Sequence, residues 1–263
     1  MYEDTMKKIS SLNIIKETFS LFFGKLSYII RQTYPQLLIM YGAGFYFIYY
    51  SYLIDQGHTE SFTALKLISG ILLGFFLLLA YINYYIYITQ MGVSKKIEPM
   101  GLWGFGIGRL QLKFIGTVFV LSLGLFAVIG LGSVISLFIS NITPFLGYIG
   151  WAAVAIGVIY LTLRVYFLFP ALIYTPTLGF VESWNQSKGR LLTISGVFFF
   201  LILISIVVSL VISLPDIINV FKGTQPAEPK FSILSLFITI TFHLVNLGIG
   251  SLAPAILYKR IKG

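Results

Sequence analysis

Arg164-Val-Tyr-Phe-Leu-Phe-Pro-Ala-Leu-Ile-Tyr174, followed directly by Thr175-Pro-Thr-Leu-Gly-Phe-Val-Glu-Ser-Trp-Asn-Gln-Ser-Lys-Gly-Arg-Leu191, is the stretch that decides the fold. An apolar segment with one arginine ends near a proline, a short amphipathic segment follows, and a second long apolar segment begins. This order is typical of two membrane-crossing helices that are joined by a segment lying at the membrane surface. We therefore predict two spans with an interfacial connector between them.

The composition extends this prediction to the whole chain. Hydrophobic residues make up 57% of the 263 residues and charged residues only 10%, whereas soluble domains carry about 25% charged residues. Apolar runs long enough to cross a hydrocarbon core of about 30 Å recur along the sequence. We predict an all-α integral membrane protein that forms a single membrane domain over 1–263. Its six predicted transmembrane helices are 34–53, 65–90, 114–140, 147–169, 192–214 and 231–258.

The basic residues predict the orientation of these spans. The net charge is +9, and 15 of the 18 Lys and Arg lie on one side of the six-span arrangement. Lys66, Lys222 and Lys230 are the three on the opposite side. The positive-inside rule then places both termini in the cytoplasm and the protein in the cell inner (plasma) membrane. Because the basic residues lie beside apolar segments, membrane topology and not nucleic-acid binding explains them.

A motif that recurs at intervals of about 80 residues indicates an internal repeat. Glu17-Thr-Phe-x4-Gly-Lys-Leu26 matches Glu182-Ser-Trp-x4-Gly-Arg-Leu191, and Trp103-x4-Gly-Arg-Leu110 matches the core of both. Leu168-Phe-Pro-Ala-Leu-Ile-Tyr174 similarly matches Leu252-Ala-Pro-Ala-Ile-Leu-Tyr258. We predict three parallel repeats of an amphipathic interfacial helix plus a two-span hairpin, at about 9–90, 100–174 and 176–258. The alternative is that such short matches arise by chance in this composition.

The repeat assigns structural roles to particular positions. The first interfacial helix is predicted over 9–31. A glycine before the basic residue of each motif would allow the chain to turn from lying flat on the membrane surface to crossing the membrane. A proline is predicted to end the second span of a pair. The predicted structural-motif residues are Pro170, Glu182, Trp184, Gly189 and Pro254.

Catalytic constellations are scarce in this sequence. All nine acidic residues lie in predicted loops or interfacial segments, so no intramembrane carboxylate pair is available for acid–base chemistry. The two histidines, His58 and His243, are far apart, and there is no cysteine. Neither a zinc motif nor a thiolate metal site is therefore predicted. We expect no enzymatic activity, no cofactor and no metal.

Arg164 is the most informative single residue, because a charge within a span is costly and often functional. Pro170, six residues later, places it only about 9 Å from the predicted cytoplasmic end, within reach of snorkelling. It would then snorkel, or pair with Glu182 or a backbone carbonyl; the alternative is contact with a lipid phosphate or another anion. The predicted lipid- or anion-contacting residues are Arg164, Lys25, Arg109, Lys188 and Arg190.

Three polar residues fall within predicted spans. Asn83 lies in the second span, and His243 and Asn246 are three residues apart in the sixth, so they share a helix face. Hydrogen bonding between helices explains such residues in most membrane proteins. The alternative is a polar cavity between the spans.

The stretch Arg164–Leu191 also resembles a known pattern. Arg164, Pro170-Ala171, Ser183-Trp184 and Gly189-Arg190 are similar to the motif of the YciC-like bacterial inner-membrane family and of the related membrane domain associated with some glycerophosphodiester phosphodiesterases. The resemblance implies a six-span protein with amphipathic connecting segments and cytoplasmic termini. It implies no catalytic residues, and the chain holds no soluble phosphodiesterase domain.

Two classes of function remain open. The first is a non-enzymatic polytopic inner-membrane protein that acts through contact with anionic lipid headgroups or with a membrane protein partner, and that binds no nucleic acid. The second is a small transporter or channel with a polar cavity near Arg164, Asn83, His243 and Asn246. An intramembrane enzyme that acts on lipids is a weaker third hypothesis, because no convergent acid–base pair is present.

Overall fold

The chain folds into helices. The computed structural model describes residues 9–55, 64–93, 108–141, 143–175, 177–221 and 233–262, and all secondary structure in these ranges is helical. The predicted all-α class is therefore confirmed. The helices are α1 (Ser11–Gly24), α2 (Leu26–Asp55), α3 (Ala64–Val93), α4 (Arg109–Ser140), α5 (Pro144–Arg164), α6 (Leu168–Tyr174), α7 (Phe180–Ser187), α8 (Leu191–Phe221) and α9 (Ile233–Lys262).

Five helical stretches among the described residues are long and apolar enough to cross a membrane. They are Ile68–Val93, Arg109–Ser140, Phe145–Tyr174, Leu191–Leu210 and Phe237–Lys262. These correspond to the second to sixth predicted spans, so the multi-pass membrane character is confirmed. The first predicted span lies within α2, which is helical over 30 residues. Its crossing of the membrane, and with it the count of six, stays a prediction.

The chain forms two compact units. Unit 1 contains Met1–Gly106 and Val197–Ala253, and unit 2 contains Ile107–Gly196 and Pro254–Gly263. The three predicted repeats stay a prediction, but a helix begins at each copy of the repeated motif: α2 at Leu26, α4 at Arg109 and α8 at Leu191. Trp103 of the second copy lies outside the described residues.

In unit 1, α1, α2 and α3 pack with the part of α9 that belongs to this unit. Phe22 of α1 contacts Gly248 of α9, and Tyr84 Oη of α3 donates to the carbonyl of Leu244 (3.3 Å). Residues 9–31 were predicted as one helix, which is wrong: α1 ends at Gly24 and α2 begins at Leu26. The break falls at the Gly-Lys pair, where the missing glycine side chain weakens the helix.

In unit 2, α5 and then α6 run antiparallel to α4. Near the turn at residues 141–143, Gly147 and Gly150 of α5 approach Ser140 and Ser136 of α4. At the other end the rings of Phe114 and Phe169 stack with centroids 4.5 Å apart. Small residues at the close approach let the two backbones come together, which is how helices associate in lipid.

The predicted role of the two prolines is wrong. Pro170 lies inside α6 and the helix is interrupted before it, at residues 165–167, while Pro254 lies inside α9, which continues to Lys262. A proline removes one backbone N–H from the helix. The N–H and C=O groups of the adjacent residues still need hydrogen-bond partners, and in an apolar environment water cannot provide them. Continuing the helix is therefore the better way to satisfy the remaining backbone groups.

Candidate functional site

The basic residues of unit 2 gather at the end of the α4–α5 hairpin that is opposite its turn. Lys113 Nζ donates to the carbonyl of Thr175 (3.1 Å), so the start of α4 meets the end of α6. Glu182 of α7 is the single acidic residue in the sequence of this unit. We call the set of basic side chains the basic end: Arg109, Lys113, Arg164, Lys188, Arg190, Lys259, Arg260 and Lys262.

Arg164 is the last residue of α5 and is held between two aromatic rings. Its Cζ lies 5.1 Å from the ring centroid of Tyr160 and 4.9 Å from that of Trp184, and the rings are in edge contact. Its Nε donates to Tyr160 Oη (2.9 Å). Its Nη1 is buried and has no hydrogen-bond acceptor among the described residues. Two π faces attract the guanidinium, but neither accepts an in-plane hydrogen bond.

The α7 helix brings Trp184 to this position because it packs against α5 and α6. Ser183 Oγ donates to the carbonyl of Arg164 (3.0 Å), which has lost its helical partner because α5 ends there. Gly179, with φ of 74°, precedes α7, and its missing side chain leaves room for the backbone of α6. Gly189, with φ of 77°, lies between α7 and α8, where a residue with a side chain would be strained.

The length of α5 matches the thickness of the hydrocarbon core of a membrane. The 21 residues Pro144–Arg164, at 1.5 Å each, extend about 30 Å, which is the thickness of the hydrocarbon core. The apolar stretch to which α5 belongs continues beyond Arg164 to Tyr174. Tyr160 and Trp184 are both exposed, as residues of an aromatic belt are.

One interpretation of the sequence was that Glu182 pairs with Arg164. In the structure it does not. It forms an ion pair with Lys262 near the end of α9 (3.0 Å) and accepts hydrogen bonds from Gln186 (3.1 Å) and Tyr258 (3.2 Å). The hydrogen bond from Lys262 lowers the pKa of Glu182 below its usual value, and Gln186 acts in the same direction against the effect of partial burial. Lys262 also lies over the rings of Tyr174 and Tyr258.

Glu182→Gln is expected to lower the free energy of unfolding at neutral pH by less than about 1 kcal/mol, because both charged side chains are partly exposed. The lowered pKa means that the carboxylate stabilises the fold above its usual pKa of 4.5 and that this contribution is lost as the pH falls through the folded-state value. Thermal unfolding in detergent from neutral pH to about pH 3 checks this. The variant and the wild type should converge at the acid end; a constant gap would contradict the assignment.

The other predicted lipid- or anion-contacting residues are on the surface. Lys25, in unit 1, is exposed at the junction of α1 and α2, and Arg109 is exposed at the start of α4. Lys188 is exposed after α7, while Arg190 is half-buried and donates to the carbonyl of Gln186 (3.1 Å). In unit 2, α7 contacts Arg164 through Trp184 and Lys262 through Glu182, and Lys188 and Arg190 follow at its end.

The intramembrane polar candidates all lie in unit 1. Asn83 is buried in α3, and Asn246 of α9 accepts a hydrogen bond from Ser205 of α8 (2.9 Å). His243 is exposed, beside the ring of Phe242. The described part of the chain holds no group of three or more His, Asp or Glu side chains arranged to bind a metal.

Tyr160 and Lys262 are members of the site that the sequence did not identify. Tyr160 precedes Arg164 by four residues, a spacing that places both on one face of a helix, so this signal was available. No local signal relates Lys262 to Glu182, which is 80 residues earlier. Comparison with known proteins adds no assignment, because no protein-family model, no curated protein sequence and no solved structure matches this chain.

Proposed function

We propose that this chain is a non-enzymatic multi-pass protein of the inner (plasma) membrane with cytoplasmic termini, which acts by contacting anionic lipid headgroups through its basic end. The observation that carries the proposal is the one-sided charge of unit 2. Eight basic residues and one carboxylate lie at one end, whereas residues 140–148 around the α4–α5 turn carry no charge. Such an end faces anionic lipid in the cytoplasmic leaflet under the positive-inside rule.

The exposure of individual side chains supports this proposal. Arg109 and Lys188 are exposed, and Glu182 forms an ion pair with Lys262. A basic residue near an anionic membrane surface contributes about 1 kcal/mol of attraction. The net charge of the basic end is thus large enough to enrich anionic lipid around it, or to attract an acidic membrane partner.

The three parallel repeats and the relationship to the YciC-like family belong to the same proposal. They are supported by the helix starts at Leu26, Arg109 and Leu191, each within a copy of the Gly-basic-Leu motif. The alternative, a transporter or channel with a polar cavity near Arg164, Asn83, His243 and Asn246, has less support. Within unit 1, Asn246 is bonded to Ser205 and His243 is exposed on α9.

The proposal is tested by the lipids that the protein retains. Wild-type protein in mixed phosphatidylglycerol–phosphatidylethanolamine nanodiscs is expected to be enriched in phosphatidylglycerol, as measured by native mass spectrometry after release. Lys188→Gln is expected to reduce this enrichment by up to about fivefold, the equivalent of 1 kcal/mol, and added salt should reduce it further.

Lys222→Gln is the matched control, because it removes the same charge on the side that the sequence predicts to face away from the cytoplasm. It should leave the enrichment unchanged. A wild-type protein that shows no preference for phosphatidylglycerol would refute the proposed function.

A further inference from the structure

We propose that Arg164, Tyr160 and Trp184 form a binding site for the phosphate group of a membrane phospholipid, whatever the net charge of the headgroup. The inference rests on the proposed lipid contact and deepens it. The basic end attracts net negative charge over a distance, whereas this site would recognise one chemical group by hydrogen bonds.

The hydrogen-bond donors at the site exceed the acceptors. A guanidinium carries five N–H groups, and within the described residues one of them, on Nε, reaches an acceptor, Tyr160 Oη. That bond lies on the exposed side of the guanidinium. Because Tyr160 Oη accepts from Arg164, its own proton is free to be donated. A phosphate oxygen that approaches this side therefore meets the tyrosine hydroxyl and the exposed edge of the guanidinium, a group whose charge and planar donors favour phosphate.

The charge of Arg164 also lacks a counterion within the described residues. Glu182, the acid closest in sequence, is engaged by Lys262, Gln186 and Tyr258. The rings of Tyr160 and Trp184 attract the cation, yet Nη1 remains buried without an acceptor, which costs free energy. An anion at the exposed edge would balance the charge and accept hydrogen bonds from the donors that are not buried.

The position of the site selects a lipid phosphate as that anion. Arg164 lies about 30 Å along α5 from its start at Pro144, so a start at one headgroup level puts Arg164 near the other. The exposed Trp184 and Tyr160 rings are the amphipathic side chains that occupy this level. Phosphate esters lie at the same level in every phospholipid, whether the headgroup is anionic or zwitterionic.

The test measures binding of single lipids to the full chain in a neutral detergent by native mass spectrometry. The probes are phosphatidylethanolamine, phosphatidylglycerol, diacylglycerol and inorganic phosphate. Wild-type protein is expected to bind both phospholipids about tenfold more tightly than diacylglycerol, which lacks the phosphate and so the charge-assisted hydrogen bonds.

Two conservative variants locate the site. Arg164→Lys retains the charge and loses the planar fork, and Tyr160→Phe retains the ring and loses the hydroxyl. Each is expected to weaken phosphatidylethanolamine binding by about tenfold and to leave diacylglycerol binding unchanged. Lys188→Gln, a nearby exposed charge, should leave the discrimination between phosphatidylethanolamine and diacylglycerol intact. Thermal unfolding shows whether each variant is folded. If Arg164→Lys does not fold, Tyr160→Phe alone provides the test.

Three results would overturn the site. They are equal binding of diacylglycerol and phosphatidylethanolamine, unchanged discrimination in the folded variants, or competition by millimolar inorganic phosphate, which would identify a soluble ligand instead. These results leave the proposed function standing if wild-type protein still prefers phosphatidylglycerol in nanodiscs. The reverse outcome, phosphate-dependent binding with no such preference, would refute the proposed function alone.

Discussion

Gly248→Ala is expected to destabilise unit 1 by about 1–3 kcal/mol, and Gly248→Leu is expected to prevent its folding, because a side chain here overfills a packed core. A Cβ at Gly248 would overlap the ring of Phe22 and lie 2.9 Å from Tyr84 Oη. Phe22 is 1% exposed and Tyr84 is 2% exposed, so neither ring has free space into which it can move. The substitution would separate α9 from both α1 and α3.

Gly250→Ala is the matched control on the same helix, because a Cβ at Gly250 meets no atom within 4 Å. Alanine favours a helix by up to about 1 kcal/mol over glycine, so this variant is expected to be neutral or stabilised. The midpoint of SDS-induced unfolding from mild detergent micelles measures both variants. Equal midpoints for Gly248→Ala and Gly250→Ala would show that α9 does not approach Phe22 as described.

The second to sixth spans were predictable from the sequence, because a long apolar run in hydrocarbon has few alternatives to a helix. Backbone groups in hydrocarbon must bond to each other, so an apolar run of sufficient length becomes a helix whatever its neighbours are. A helix begins within each copy of the Gly-basic-Leu motif, at Leu26, Arg109 and Leu191, although residues 9–31 had been predicted as one helix. The prediction that Pro254 ends a span was wrong, because it applied the rule for helices in water to a proline that lies within α9.

The candidate site was predictable only in part. Arg164 was found because a charge within a span is rare, and Glu182 and Trp184 because they belong to the repeated motif. Their partners were not found, since the side chain that faces each of them depends on how the helices pack. The pairing of Glu182 with Lys262 joins α7 to the end of α9, and nothing in the local pattern of either helix determines it.

Gly147→Ala is expected to destabilise the α4–α5 hairpin by about 1–3 kcal/mol, because the added methyl group overpacks the contact between the helices. A Cβ at Gly147 would lie 2.5 Å from the Cβ of Ser140 and 3.1 Å from its Cα. These atoms belong to the backbone or are attached directly to it, so no flexible side chain can move aside. The helices must separate there, which also weakens the neighbouring approach of Gly150 to Ser136.

The effect is expected here because Ser136, one of the few buried residues of α4 beside Phe114 and Thr117, lies in the same close approach near the turn. Gly157→Ala on α5 is the matched control, since a Cβ there meets no atom within 4 Å. The SDS unfolding midpoint should fall for Gly147→Ala and should stay or rise for Gly157→Ala. If both variants unfolded like the wild type, lipid contact and not helix packing would hold the hairpin, and the small residues along it would lose their structural explanation.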